Sequence, residues 1–202
     1  MALSILGESA VGVTWMLDEP MARASHALRD GERVWLIDPT DDPPAIERVL
    51  SLGKPVAVLQ LLDRHGRDCA AIAGRLGVPH LRVPAALPDS PFQVIRVVDN
   101  PVWHEVALWW PERRALIVPE AIGTSPMFAP GPAGAGVHIG LRLHPPRKLA
   151  AYSPAHLLVG HGQPLGGDRA AAGLNEALNR ALRDVPRALF MLPKALVGAG
   201  RR

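Results

Sequence analysis

The chain has 202 residues, 48% of them hydrophobic, which suits one domain with a sizeable core and excludes a disordered chain. Its net charge of +3, from 22 basic against 19 acidic residues, is scattered in short pairs at Arg113-Arg114, Arg147-Lys148 and Arg201-Arg202. Nucleic-acid proteins concentrate such charge in a stripe, so no nucleic-acid partner is expected. A single cysteine forms no internal disulfide and fits a reducing compartment. The first residues, "MALSILGESAVG", make a poor signal peptide, and no stretch approaches the roughly 18 apolar residues of a spanning helix. The expected location is therefore the cytoplasm, with no membrane partner. The apolar content allows a homodimer, which nothing in the sequence specifies.

In chain order, strand-like runs fall at 11–17 (VGVTWML), 33–38 (RVWLID), 55–62 (PVAVLQLL), 92–98 (FQVIRVV), 104–110 (HEVALWW), 114–119 (RALIVP) and 155–160 (AHLLVG). Most are apolar on both faces, which predicts sheets covered on both sides. Helices are predicted between them. The first, at 42–53, opens with Asp and Pro and stops at Gly53. The second, at 66–77, carries Cys69, Ile72, Ala73 and Leu76 on one stripe. The third, at 167–185, carries Leu174, Leu178, Ala181, Leu182 and Val185. Strands and helices alternate at first, and then strands follow one another as in hairpins. The pattern predicts a layered α/β protein. Residues 121–150, including GTSPMFAPGPAGAGVHIGLRLHPPR, are dense in Gly and Pro and predict a long irregular connection, either covering a site or running over the surface.

The segment LDRHGRDC (62–69) crowds Asp63, His65, Asp68 and Cys69 between a strand and a helix, where α/β proteins place ligands. Asp68 is either a helix cap or an oxygen donor to a metal. Cys69 is either a small buried hydrophobe or a thiolate favoured by the helix N-terminus. His161, between two glycines in VGHGQP, is either a ligand or a structural imidazole bonded to buried carbonyls. Trp103, Trp109 and Trp110 read as core. There is no P-loop, no G-x-G-x-x-G after a strand and no nucleophile elbow.

Taken together, the segments resemble the metallo-β-lactamase superfamily. The strand–DRHGRDC–helix order is similar to that family's T-H-x-H-x-D-H turn. RVWLIDP resembles its early strand ending in Asp, here Asp38. NPVWHEVALWWPERRALIVPEAIGT resembles its G-H-T-P-G stretch and the strand that follows, and LLVGHGQPL resembles its late G-H-G motif. The resemblance covers about residues 10–185. It implies a single domain over 1–202, a four-layer αββα sandwich of two mixed sheets, with a site at one edge and a two-metal hydrolytic centre.

Alignment on RDC places Arg64 and Gly66 over the first two histidines, and alignment on VALWW places Pro101 over the third. None of these can hold zinc, so the resemblance implies loss of the first metal. Asp68, Cys69, Glu120 and His161 remain as a possible set for one divalent ion, zinc by preference. Asp38 would orient a site residue from behind or cap its turn. Arg64 and Arg67 bring positive charge that disfavours a cation. Arg64 would fill the lost metal's space and pair with Glu120 or Asp68. A one-residue shift of the turn would instead make Asp63 and His65 the H-x-H pair. Two readings stay open: a weak mononuclear hydrolase of ester or thioester-type substrates, or a metal-free, non-catalytic module whose crevice binds an anionic small molecule through Arg64 and Arg67. The sequence names no substrate.

Overall fold

The structure, a computed structural model, describes residues 3–129 and 134–186. The Arg201-Arg202 pair and positions 130–133 of the Gly/Pro-rich stretch lie outside the described residues. The first sheet runs in spatial order through β1 (Leu3–Ser9), β2 (Gly12–Leu17), β3 (Ala24–Asp30), β4 (Arg33–Ile37), β5 (Lys54–Gln60) and β6 (His80–Arg82). Strands β1 to β4 form an antiparallel meander. Strands β4, β5 and β6 are parallel and are connected by α1 (Pro43–Leu52) and α2 (Cys69–Leu76). The second sheet begins with antiparallel β7 (Gln93–Asn100), β8 (Trp103–Trp110) and β9 (Ala115–Val118). A separate ribbon pairs β10 (Ile122–Gly123) with β11 (Gly136–Val137). The chain then returns to the second sheet as β12 (His156–Val159), parallel to β9, and β13 (Leu165–Gly166), before α3 (Asp168–Arg180).

Alternation along the strands explains why they are apolar throughout. Val34 and Leu36 of β4 pack with Ala45, Val49 and Ile72 beneath α1 and α2. Trp35 and Ile37, one step out of phase, pack with Leu108, Trp110 and Ile117 between the sheets. In the same way Leu116 and Val118 of β9 meet Leu174 and Leu178 of α3, while Ile117 points into the central layer. Three apolar clusters separate four layers, the αββα sandwich of two mixed sheets that the resemblance implied. Helix α1 begins as its sequence predicts, with the Asp42 side chain accepting from Ala45 N at 2.9 Å, and α2 ends at Gly77 in the left-handed conformation, φ +65°. No described helix is long and apolar enough to cross a membrane.

Several elements depart from the expected pattern. Strand β3, ASHALRD, lacks an apolar run because His26 and Ser25 are buried through hydrogen bonds rather than by hydrophobicity. Strands β1 and β6 were likewise not foreseen. The helical stripe predicted to Val185 stops at Arg180, and Leu182 is exposed. The stretch 121–150 carries the β10–β11 ribbon and two 3₁₀ turns, Ile139–Leu141 and Arg147–Ala151.

His26 makes the fold acid-sensitive. Its Nε2–H donates to Val159 O at 3.1 Å, which ties β3 to β12, and its Nδ1 accepts from the Thr14 hydroxyl at 2.9 Å. Burial pushes its pKa down to about 4, so the folded state favours the neutral ring. That stabilisation is complete above pH 6.5, the unfolded value, and is lost as pH falls toward 4. His26 alone should then cost about 3 kcal/mol. Urea unfolding at pH 7 and pH 4.5 should show a smaller pH dependence for His26→Leu than for the wild type. Equal dependence would contradict this account.

Candidate functional site

Strands β4, β5, β9 and β12 end on the same edge of the sandwich, and each is followed by a polar residue turned into one place. Asp38 follows β4, the loop to His65 follows β5, Glu120 follows β9 and His161 follows β12. The carboxyl ends of parallel strands are where such folds collect ligands. At the centre lies the Glu120 carboxylate. Its Oε2 is 2.9 Å from His65 Nε2 and 2.9 Å from His161 Nε2, and the two Nε2 atoms are 3.4 Å apart. All three residues are buried, and their ligand atoms lie within 4.8 Å of one another.

The far side of each ring is anchored. His65 Nδ1–H donates to Asp38 Oδ2 at 3.1 Å, and His161 Nδ1–H donates to the Met21 carbonyl at 3.0 Å. Carbonyl and carboxylate oxygens only accept, so the anchored nitrogens carry the protons and both Nε2 atoms face Glu120. In a neutral ring Nε2 is then a lone pair aimed at a carboxylate, an arrangement that calls for a proton or a metal ion between them. Asp38 is itself fixed, because its Oδ1 accepts from Leu61 N at 3.0 Å. Phe128 stacks on His161 at 5.3 Å. Gly160 allows the tight approach of β12, since a Cβ there would lie 2.1 Å from Pro119 O and 3.2 Å from the His65 ring.

Burial opposes charge on both partners, and the hydrogen bonds overcome it. Those from His161 and His65 hold the Glu120 carboxyl well below the usual range. Those to Asp38 and Glu120 raise His65 above its ordinary value. His138 approaches Glu120 Oε1 with Nε2 at 3.4 Å, but its Nδ1 accepts from Gly140 N, so Nε2 carries the proton and offers no lone pair. Burial lowers the His138 pKa.

The expected ligand set is corrected in two places. Asp68 Oδ2 accepts from Asp41 N at 2.7 Å, away from the cluster. Cys69 lies on the buried face of α2 with Ile72 and Ala73, its Sγ near His65 O at 3.6 Å, and burial pushes its thiol up to about 12. It behaves as a small hydrophobe rather than a thiolate. His65, expected behind the ligands or at an anion site, meets Glu120 and His161 directly; Asp63, its partner in the alternative H-x-H pairing, stays outside the cluster, its Oδ2 accepting from His104 N at 3.1 Å. Arg64 does not pair with Glu120 or Asp68. It is half exposed, 3.9 Å from Asp63 and stacked over Trp103 at 4.4 Å. Arg67 is the enclosed cation. Its two terminal nitrogens donate to the carbonyls of Ala24, Asp38 and Gly160, its Nε has no partner among the described residues, and burial lowers its pKa. Gly66 is exposed, and Pro101 sits in the turn between β7 and β8. His138, Glu105 and Phe128 escaped the sequence reading. The only hint of the first was a lone His between glycine-rich stretches.

The donor set suits a divalent ion. Zinc with nitrogen ligands at about 2.0–2.1 Å in tetrahedral geometry spaces them about 3.3 Å apart, close to the Nε2–Nε2 separation seen here. Two histidines and one carboxylate leave a fourth position open, and they border a cleft of about 440 Å³ whose walls include Met21, Arg23, Leu62, Arg64 and His138.

No family model and no curated protein matches the sequence. Among solved structures, the chain is similar to DIM-1 metallo-β-lactamase with a TM-score of 0.61 and 12% identity, over 89% of this chain and 97% of that one. VMB-1 matches with a TM-score of 0.60 and 12% identity, over 90% and 97%. TMB-1 matches with a TM-score of 0.56 and 10% identity, over 94% and 99%. Likeness at such identities speaks for architecture alone. The chain has the metallo-β-lactamase fold.

Proposed function

We propose that this chain is a mononuclear metal-dependent hydrolase of anionic ester or thioester-type substrates, with His65, Glu120 and His161 holding one divalent ion, zinc by preference. The observation that carries the reading is the convergence of two anchored imidazole Nε2 atoms on one carboxylate oxygen. His65, Glu120 and His161 would hold the ion, which when bound would supply Lewis-acid polarisation and a water activated near neutral pH. The chain's own residues do the rest. Asp38 fixes the His65 ring and raises its basicity as a ligand. Arg64, half exposed on its Trp103 support, faces the cleft as a cation for a substrate carboxylate or phosphate. Arg23 also lines the cleft but is neutralised by Glu19.

Protein purified without chelator should retain about one divalent ion per chain and should melt at higher temperature with added zinc. It should hydrolyse anionic thioesters or esters, and Arg64→Met should raise KM with little change in kcat. Absence of stoichiometric metal, with no thermal shift from zinc, iron or manganese, overturns the reading.

One observation favours a second reading, a metal-free and non-catalytic module that binds an anionic small molecule in the same cleft. Arg67 is a permanent cation beside His65 and Glu120, and its charge opposes a metal ion. That reading expects stabilisation by phosphate or carboxylates and none by metals.

A further inference from the structure

Glu105, on β8, is fully buried, with 0% exposure, and forms no ion pair among the described residues. An uncompensated buried carboxylate is costly. Here it is held by three N–H donors. Its Oε1 accepts from Glu120 N at 3.2 Å and Ala121 N at 2.8 Å, and its Oε2 accepts from Trp103 Nε1 at 2.8 Å. The same stretch of β8 is joined to the segment leading to His65: Leu62 bridges Glu105, Val106 N donates to Leu61 O and Asp63 N donates to His104 O. The Trp103 ring in turn carries Arg64 on its face at 4.4 Å and meets the His138 ring edge-on at 4.9 Å. One side chain thus touches the turn bearing Glu120 and the support for two groups lining the cleft.

We infer that Glu105 is a positioning residue for the centre formed by His65, Glu120 and His161. Its carboxylate holds the turn at Glu120 so that this side chain meets both Nε2 atoms, and holds Trp103 so that Arg64 and His138 face the cleft. The inference rests on the metal-centre reading for its zinc readout, but not for its hydrogen-bond readout. A carboxylate accepts at both oxygens. A glutamine accepts at one and must turn its NH₂ toward either the two backbone amides or the indole N–H. Either choice breaks one of the two supports.

The test compares wild type, Glu105→Gln, Trp103→Phe and the double variant by zinc titration and by amide hydrogen exchange at Glu120 and Ala121. Glu105→Gln should lose about 10–100-fold in zinc affinity, as partners behind a ligand do, and should speed exchange at both amides. In the double variant the indole N–H is gone, so glutamine can keep its oxygen on the two amides. Zinc affinity and slow exchange should then return in large part. Wild-type affinity and exchange in Glu105→Gln, or a double variant no better than the single one, overturns the inference. Should Glu105→Gln not fold, Trp103→Phe is read alone, because it removes the indole donor at Oε2 and leaves Oε1 on both backbone amides. Slow exchange at Glu120 and Ala121 is then expected to persist, and faster exchange at either overturns the inference, since the turn would be held by the packing of Trp103 rather than by the carboxylate. If wild type takes up no zinc, the metal reading falls by itself, and the amide exchange still decides the role of Glu105.

Discussion

Replacing His65 or His161 with alanine is expected to reduce zinc affinity on the order of 1,000-fold, beyond the 10–100-fold typical of losing a partner behind a ligand. Each removes one of two imidazoles whose Nε2 atoms lie 3.4 Å apart against Glu120, and a site with three protein ligands has none to spare. Asp68→Ala and Cys69→Ala should leave zinc affinity within about threefold of wild type, below the 10–100-fold cost of losing a supporting partner. Asp68 is bonded to Asp41 N, and the Cys69 thiol, pushed up to about 12, stays protonated in its apolar cluster. Cys69→Ala should instead register as a small core deletion in thermal unfolding. Isothermal titration with zinc on the four variants reads this directly. Loss of affinity in Cys69→Ala with retention in His65→Ala would reverse the assignment of the turn.

Arg142→Met should be the most destabilising single substitution considered, at about 3–5 kcal/mol. Arg142 is among the largest fully buried side chains, at 1% exposure. Its guanidinium donates to Val137 O at 2.9 Å, Phe128 O at 2.8 Å and Asp184 O at 2.6 Å. It thereby clips together β11, the segment bearing Phe128 and the chain just beyond α3. Methionine fills much of the volume but leaves three buried carbonyls without donors. Because Phe128 stacks on His161, the same change should also weaken zinc binding, though less than loss of a ligand. Urea unfolding with paired zinc titration measures both effects. Stability within about 1 kcal/mol of wild type would mean that those carbonyls find other donors.

Much of the architecture was legible because buried strands of this fold are apolar on both faces. The runs at 33–38, 55–62, 104–110 and 114–119 each supply side chains to two different clusters; the helix predicted at 42–53 forms behind its Asp42 cap, and the one predicted at 66–77 ends at Gly77 as expected but begins only at Cys69, with no cap bond from Asp68. Strand β3 was not legible, because Ser25 and His26 are buried by hydrogen bonds that composition does not reveal. In the site, Glu120, His161 and Asp38 could be found from strand ends. The register of the DRHGRDC turn could not. Asp68 and Cys69 match the expected residue types, but Arg67 adopts φ +37°, and the chain presents His65 to the cluster before α2 begins. Glu105 was hidden for another reason. A glutamate between a tryptophan and a run of apolar residues looks like a strand's polar alternate, and only the fold reveals that its acceptors meet Glu120 N, Ala121 N and Trp103 Nε1.

Two histidines and one glutamate, with no sulfur, make up the proposed metal centre. X-ray absorption at the zinc edge, on protein loaded with one equivalent of zinc, tests it most directly. The expected spectrum has only nitrogen and oxygen neighbours at about 2.0–2.1 Å, with the outer-shell pattern of two imidazoles. A sulfur neighbour at about 2.3 Å would return Cys69 to the site and contradict the account, as would zinc that washes out of the folded protein.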